Sequence, residues 1–224
     1  MSMLTNLDLI RRVPLFAMLT TAQAESLADA VEKRRFKRGE LIMEQGKKCD
    51  ALFIILAGRA RVLVTDNRAR EVILATLQPG DYIGEMSLID REPHSASVEA
   101  EVQTDALVLA GDDFTRCLLE NSSTMSAVMR GLVSRLRSAD RKIESLALMG
   151  VYGRVANVLL ESGTLGVDNV RIIRDKISRQ DIAKMVGASR EMVSRVMKDF
   201  EEQGFIETRN DGAIWVKERR KVPR

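Results

Sequence analysis

SRQDIAKMVGASREMVSRVMK, residues 178–198, reads as two short helices joined by a glycine turn, with two arginines on the second. Ser178 and Ser189 stand where a side-chain oxygen caps the first free N–H groups of each helix. Ile182 and Val186 give the first helix one apolar face, and Val193, Val196 and Phe200 give the second another. Ala183 is small enough for close helix approach, and Gly187 suits a turn that needs positive φ. This is the pattern of a helix-turn-helix, whose second helix lies in the DNA major groove. Arg190, Glu191 and Arg195 are left off the apolar face. Arg pairs bidentately with guanine O6 and N7, and Glu accepts from cytosine N4. A plain helical hairpin with solvated charges has the same periodicity, so the flanking chain decides. Residues 205–208 (FIET) and 213–216 (AIWV) alternate about Asn210, Asp211 and Gly212, which is a β-hairpin signal. A hairpin directly after the second helix makes a winged helix.

Upstream, residues 7–31 have a helical pattern broken near Pro14. From 33 to 110 the character changes to short apolar runs at 41–43, 51–56, 60–64, 72–77 and 106–109, separated by Gly39, Gly46, Gly58, Gly80 and Gly84. Many short strands with regular turn residues predict an all-β sandwich or barrel. Past Asp112 the pattern is helical again. Met125, Met129, Leu132, Leu136, Ala139, Ile143, Leu146 and Gly150 step alternately by four and three, a heptad seam. One helix cannot bury such a stripe alone, so a parallel homodimer is expected, with packing along the β domain as the alternative. Two recognition helices about 34 Å apart then match half-sites one turn apart. Gly150 and Gly153 mark a hinge. The expected organisation is a sensor domain at 1–111, a dimerisation helix at 112–150 and a DNA-binding domain at 151–224, in an α+β fold.

The chain has 224 residues, 45% hydrophobic and 30% charged, enough for two modest domains with real cores. No apolar run approaches the roughly 18 residues of a membrane span. The start, MSMLTNLD, lacks a basic region followed by an apolar one, so no signal peptide and a cytoplasmic location are expected. The two cysteines, Cys49 and Cys117, lie far apart without metal-ligand spacing. An iron–sulfur cluster wants about four thiolates, and the single histidine, His94, leaves little for haem or zinc. No metal, iron–sulfur cluster or haem is therefore expected. There is no Walker, His-Glu-x-x-His or Gly-x-Ser-x-Gly pattern, so an enzyme is not expected. The 11 methionines mostly sit at core or seam spacing. Residues 145–224 carry 15 basic and 11 acidic residues, the rest 20 and 21. The last eight hold five basic residues, either near DNA phosphates or as a solubilising tail.

The segment GASREMVSR, residues 187–195, resembles the recognition segment of the Crp/Fnr family of bacterial transcription regulators. With the upstream features, the resemblance covers nearly the whole chain. It implies a cyclic-nucleotide-binding β-roll (jelly roll), a long coiled-coil dimerisation helix and a C-terminal winged helix-turn-helix. Its partners would be a double-stranded DNA operator and RNA polymerase, with no membrane. Arg179, Gln180, Ser189, Arg190, Glu191, Ser194 and Arg195 would form the DNA-binding set, on a TGTGA-like half-site in an inverted repeat.

Residues 83–100, IGEMSLIDREPHSASVEA, resemble the family's phosphate-binding cassette. Gly84 would let backbone N–H groups approach a phosphate, and a short helix near Met86 to Ile89, with Met86 and Ser87 in the binding set, would point its N-terminus there. Glu85 matches the acceptor of the ribose hydroxyl, and Ser95 a small residue that bonds the phosphate. His94 departs from the pattern: nucleotide-responsive members carry an arginine that forks to the phosphate. The Thr-Ser pair that contacts adenine from the long helix falls here on Ala139 and Asp140, without hydroxyls. A carboxylate accepts from guanine N1–H and N2–H₂ together. Arg137 and Asp140 therefore have the residue types for cyclic di-GMP, or else form an ordinary surface ion pair. The effector is expected to be cyclic di-GMP or cyclic AMP, held across the β-roll and the long helix and acting by population shift near Gly150. Two alternatives stay open: constitutive DNA binding with a vestigial pocket, and a nucleotide sensor acting on a protein partner.

Overall fold

The computed structural model describes residues 5–166, 170–175, 177–209 and 211–217. Its packing separates two units, Met1–Leu136 and Arg137–Arg224. The first opens with α1 (Asn6–Arg12), a 3-10 turn at Pro14–Phe16 and α2 (Thr21–Ala30). Strands β1 (Val31–Phe36), β2 (Leu41–Met43), β3 (Ala51–Ala57), β4 (Ala60–Thr65), β5 (Glu71–Leu77) and β6 (Tyr82–Ile83) follow. Then come α3 (Glu85–Asp90), β7 (Ser97–Ala100), β8 (Thr104–Ala110), α4 (Gly111–Glu120) and α5 (Ser122–Leu148), the last of which runs on into the second unit.

The strands form two antiparallel four-stranded sheets, in the orders β1-β8-β3-β6 and β2-β7-β4-β5. The unbroken apolar run of β3 has a simple cause. Phe53 and Ile55 enter a core that both sheets line with Phe36, Ile42, Leu77, Val98 and Ala100. Leu52 and Ile54 face the opposite way, into a second core with Ile10, Phe16, Leu27 and Phe114 from the flanking helices. A strand buried on both faces loses the alternation that marks a half-buried one.

β1 has the sequence VEKRRF, with only Val31 and Phe36 buried. It is an edge strand, and exposed charges there keep an open row of N–H and C=O groups from pairing with other chains. Arg35 bonds Asp105, its partner across the ladder, at 2.6 Å.

The helical stretch expected from 112 to 150 is two helices, because Asn121 ends one and caps the next. Its Oδ1 accepts from the backbone N–H of Thr124 at 2.8 Å, and its Nδ2 donates to Gln23 Oε1 at 3.2 Å. The expected heptad seam is modified too. Thr124 and Val128 are buried and Leu132 packs on the core, so one face of α5 covers the β unit. Met129, Leu136, Ile143 and Leu146 of the expected seam remain an exposed stripe, at 53%, 63%, 64% and 55%. Gly150 lies outside α5 and caps the next helix.

The second unit holds the end of α5, α6 (Val151–Ser162), β9 (Thr164–Leu165), β10 (Val170–Ile173), α7 (Arg179–Val186), α8 (Arg190–Glu202), β11 (Ile206–Thr208) and β12 (Ile214–Lys217). Val155, Leu159, Ile182, Val186, Val193, Val196, Met197 and Phe200 pack over Ile173, Ile206, Ile214 and Val216. The hairpin expected after the second helix is present, with Ile206 opposite Val216 and Thr208 opposite Ile214. It belongs to a four-stranded sheet, β11-β12-β10-β9. Asn210 of its turn, the first four residues of the chain and the basic tail from 218 lie outside the described residues. Among the described residues no helix is long and apolar enough to cross a membrane.

Candidate functional site: a DNA-reading helix and an effector cassette

Both serine caps form. Ser178 Oγ accepts from the backbone N–H of Asp181 at 3.0 Å, and Ser189 Oγ accepts from that of Met192 at 3.2 Å. Between the two helices Gly187 adopts φ 62°, ψ 47°, a left-handed conformation that costs a residue with a side chain about 1–2 kcal/mol. Ala183 is buried and lets α7 and α8 approach.

At 100° per residue, Arg190, Ser194, Glu191 and Arg195 span an arc of roughly 140° on α8. The buried residues Val193, Val196, Met197 and Phe200 occupy the other side. Ser189, Arg190, Glu191, Ser194, Arg195 and Gln180 are exposed, and Arg179 is half-buried. Among the described residues no hydrogen bond or ion pair holds the side chains of Arg190 or Arg195. The Glu191 carboxylate titrates below its usual range, because its own backbone N–H and Ser189 donate to it and Arg190 lies near. The face therefore presents two cations and one fixed anion, the complement of guanine and cytosine edges.

The cassette gathers Gly84, Glu85, Met86, Ser87 and His94. Gly84 has φ 99°, and a Cβ there would lie 2.5 Å from the carbonyl oxygen of Ala51, so only glycine fits. α3 starts directly after it and buries Glu85 to 1% exposure. Arg135, on α5, bonds Glu85 Oε1 at 2.6 Å through Nη1 and donates to the Tyr82 carbonyl through Nη2. Its guanidinium lies 5.0 Å from the Tyr82 ring centroid. Burial outweighs the guanidinium and holds the Glu85 carboxyl above its usual range.

His94 is 5% exposed. Its Nδ1 is 2.7 Å from Ser87 Oγ, and its backbone N–H and C=O bond Lys47 and Gly46. Burial lowers its pKa, so the imidazole is neutral at pH 7. Met86 and Ser95 are exposed. Arg137 and Asp140 belong to the second unit and are exposed, and among the described residues no ion pair joins them.

Arg135 is the residue that sequence reasoning passed over. Thr124, Val128 and Arg135 recur at the spacing of one helix face, and the first two are buried. That periodicity marks Arg135 as the arginine facing the β unit.

A DNA-reading winged helix behind a β-roll with a phosphate-type cassette defines a class: ligand-responsive transcription regulators. Residues 33–121 match the family model for the cyclic nucleotide-binding domain, and residues 153–222 match that for the Crp-like helix-turn-helix domain. The cAMP-activated global transcriptional regulator Vfr of Pseudomonas aeruginosa is 34% identical over 183 residues, spanning 78% of this chain and 84% of Vfr. The cAMP-activated global transcriptional regulator CRP of Escherichia coli O157:H7 is 32% identical over 171 residues, spanning 74% and 80%. The chain belongs to the Crp/Fnr family of transcription regulators. Its fold is shared with the c-di-GMP responsive regulator CLP of Xanthomonas campestris, at a TM-score of 0.74 and 20% identity over 88% of this chain and 100% of that one.

Proposed function

We propose that the chain is a homodimeric, cytoplasmic regulator that binds a TGTGA-like inverted repeat in response to a cyclic nucleotide and works with RNA polymerase. The observation that carries this reading is the exposed face of α8. Arg190 and Arg195 form no ion pair among the described residues and stand exposed beside Glu191 on a capped, well-packed helix. The dimer is supported by the exposed stripe Met129, Leu136, Ile143 and Leu146, whose burial against a second copy removes about 1.5–3 kcal/mol of exposure cost per fully covered side chain. Arg190→Ala is expected to lose about 1–3 kcal/mol of site affinity and to relax discrimination at one guanine. Full retention of site preference in that variant, measured over a panel of half-site substitutions, would refute the assignment.

The cassette supports a cyclic nucleotide as effector. Glu85 is already bonded to Arg135, so a ribose hydroxyl would join an ion pair in place of a free carboxylate. Two effectors fit different observations. The similarity to Vfr and CRP favours cyclic AMP. The exposed Arg137 and Asp140, together with Ala139 where a hydroxyl pair would be wanted, favour the guanines of cyclic di-GMP. Titration calorimetry with each separates them. Micromolar binding of cyclic AMP with no heat from cyclic di-GMP ends the guanine reading, and the reverse result supports it.

A further inference from the structure

The two glycines that mark a hinge in the sequence have different jobs. Gly150 caps α6, while Gly153 lies inside its first turn. Between the end of α5 at Leu148 and that cap stands Met149, and its thioether accepts two hydrogen bonds. Ser145 Oγ, on the last turn of α5, donates to Sδ at 3.6 Å. Asn157 Nδ2, on the second turn of α6, donates to the same sulfur at 3.3 Å. Gly153 lies against the same side chain, at ordinary contact distance. A Cβ there would sit 3.4 Å from Met149 Cβ and 3.6 Å from Sδ. Met149 is 40% exposed, so hydrophobic burial alone does not hold it. All of these residues lie in the second unit.

We propose that Met149 is a positioning residue for DNA recognition: its sulfur clasps α5 to α6 and fixes the angle at which the end of the long helix meets the winged-helix body. This rests on the dimer reading above. In a dimer joined along α5, a small rotation at this joint changes the separation of the two copies of α8, which must match half-sites about 34 Å apart. It leaves each copy of α8 intact. A thioether is a weak acceptor, so the clasp biases the joint without locking it.

The test uses the full chain and two duplexes, one with the inverted repeat and one with a single half-site, in fluorescence anisotropy. Met149→Leu keeps the volume and removes the acceptor; Asn157→Ala removes the stronger donor. Each is expected to weaken inverted-repeat binding roughly three- to tenfold, the range for one lost hydrogen bond. Half-site affinity should stay unchanged, and the double variant should lose no more than Met149→Leu alone. Equal losses on both duplexes, no loss on either, or additive losses would overturn the inference. If the wild-type chain itself preferred the inverted repeat no more than the half-site, the dimer reading would fall and this inference with it.

Discussion

Replacing Arg135 by methionine should destabilise the first unit by about 2 kcal/mol at pH 7, and by less at pH 5. The Coulomb attraction of two unit charges about 4 Å apart is about 4 kcal/mol at an effective dielectric of ~20. The Arg135 side chain keeps 40% exposure while Glu85 keeps 1%, so solvent screening removes roughly half of that. The remaining carboxylate would be buried without its cation and would take up a proton more readily. Its folded pKa already lies above the ordinary 4.5 and would rise further. A group with a raised folded pKa contributes stability that is fully present below its unfolded value and is lost as pH rises through the folded one. The penalty of Arg135→Met must therefore grow from pH 5 to pH 7. The assay is urea unfolding followed by circular dichroism, in a double-mutant cycle with Glu85→Gln. A coupling below about 0.5 kcal/mol, or a penalty that ignores pH, would refute the reasoning.

His94 should act with the opposite sign. Its pKa is lowered by burial from 6.5, so its contribution is present above that value and is lost as pH falls through the folded pKa. The stability advantage of the wild-type chain over His94→Gln should shrink between pH 7 and pH 5 in thermal melts, and a gap that widened in acid would contradict the neutral, Ser87-bonded imidazole. Gly187→Ala should lower stability by about 1–2 kcal/mol through left-handed strain, and Gly187→Asn by less. Space is not the obstacle there, since the nearest atom to a new Cβ is Leu146 Cδ2 at 3.9 Å. An unchanged melting temperature for Gly187→Ala would show that the turn had relaxed to another conformation.

The DNA-reading unit was legible because its signals are local. Serine caps, a glycine in the left-handed region and two apolar faces at helical spacing all lie within 23 residues, and each formed as expected. The β unit was legible where strands are apolar, as in β3 and β8, and illegible where tertiary position overrides pattern. β1 shows four charged residues between Val31 and Phe36 because it sits on an edge, and β10 takes its place through pairing with β12 and β9. The break at Asn121 is hidden in the sequence because helical periodicity runs straight across it, while the cap depends on one side-chain amide.

At the cassette, ligand chemistry drew attention to Arg137 and Asp140. The ion pair that the fold builds joins Glu85 to Arg135, 50 residues away in sequence. Only the burial of Thr124 and Val128 on the same helix face tells the arginines apart.

Sedimentation of the purified chain with a fluorescent TGTGA inverted-repeat duplex, against a scrambled duplex of the same composition, bears most directly on the whole account. Two copies of the chain per duplex are expected, with binding to the scrambled duplex weaker by at least about a thousandfold and a steep loss of affinity with added salt. A chain that sedimented as a monomer and bound both duplexes alike would contradict it.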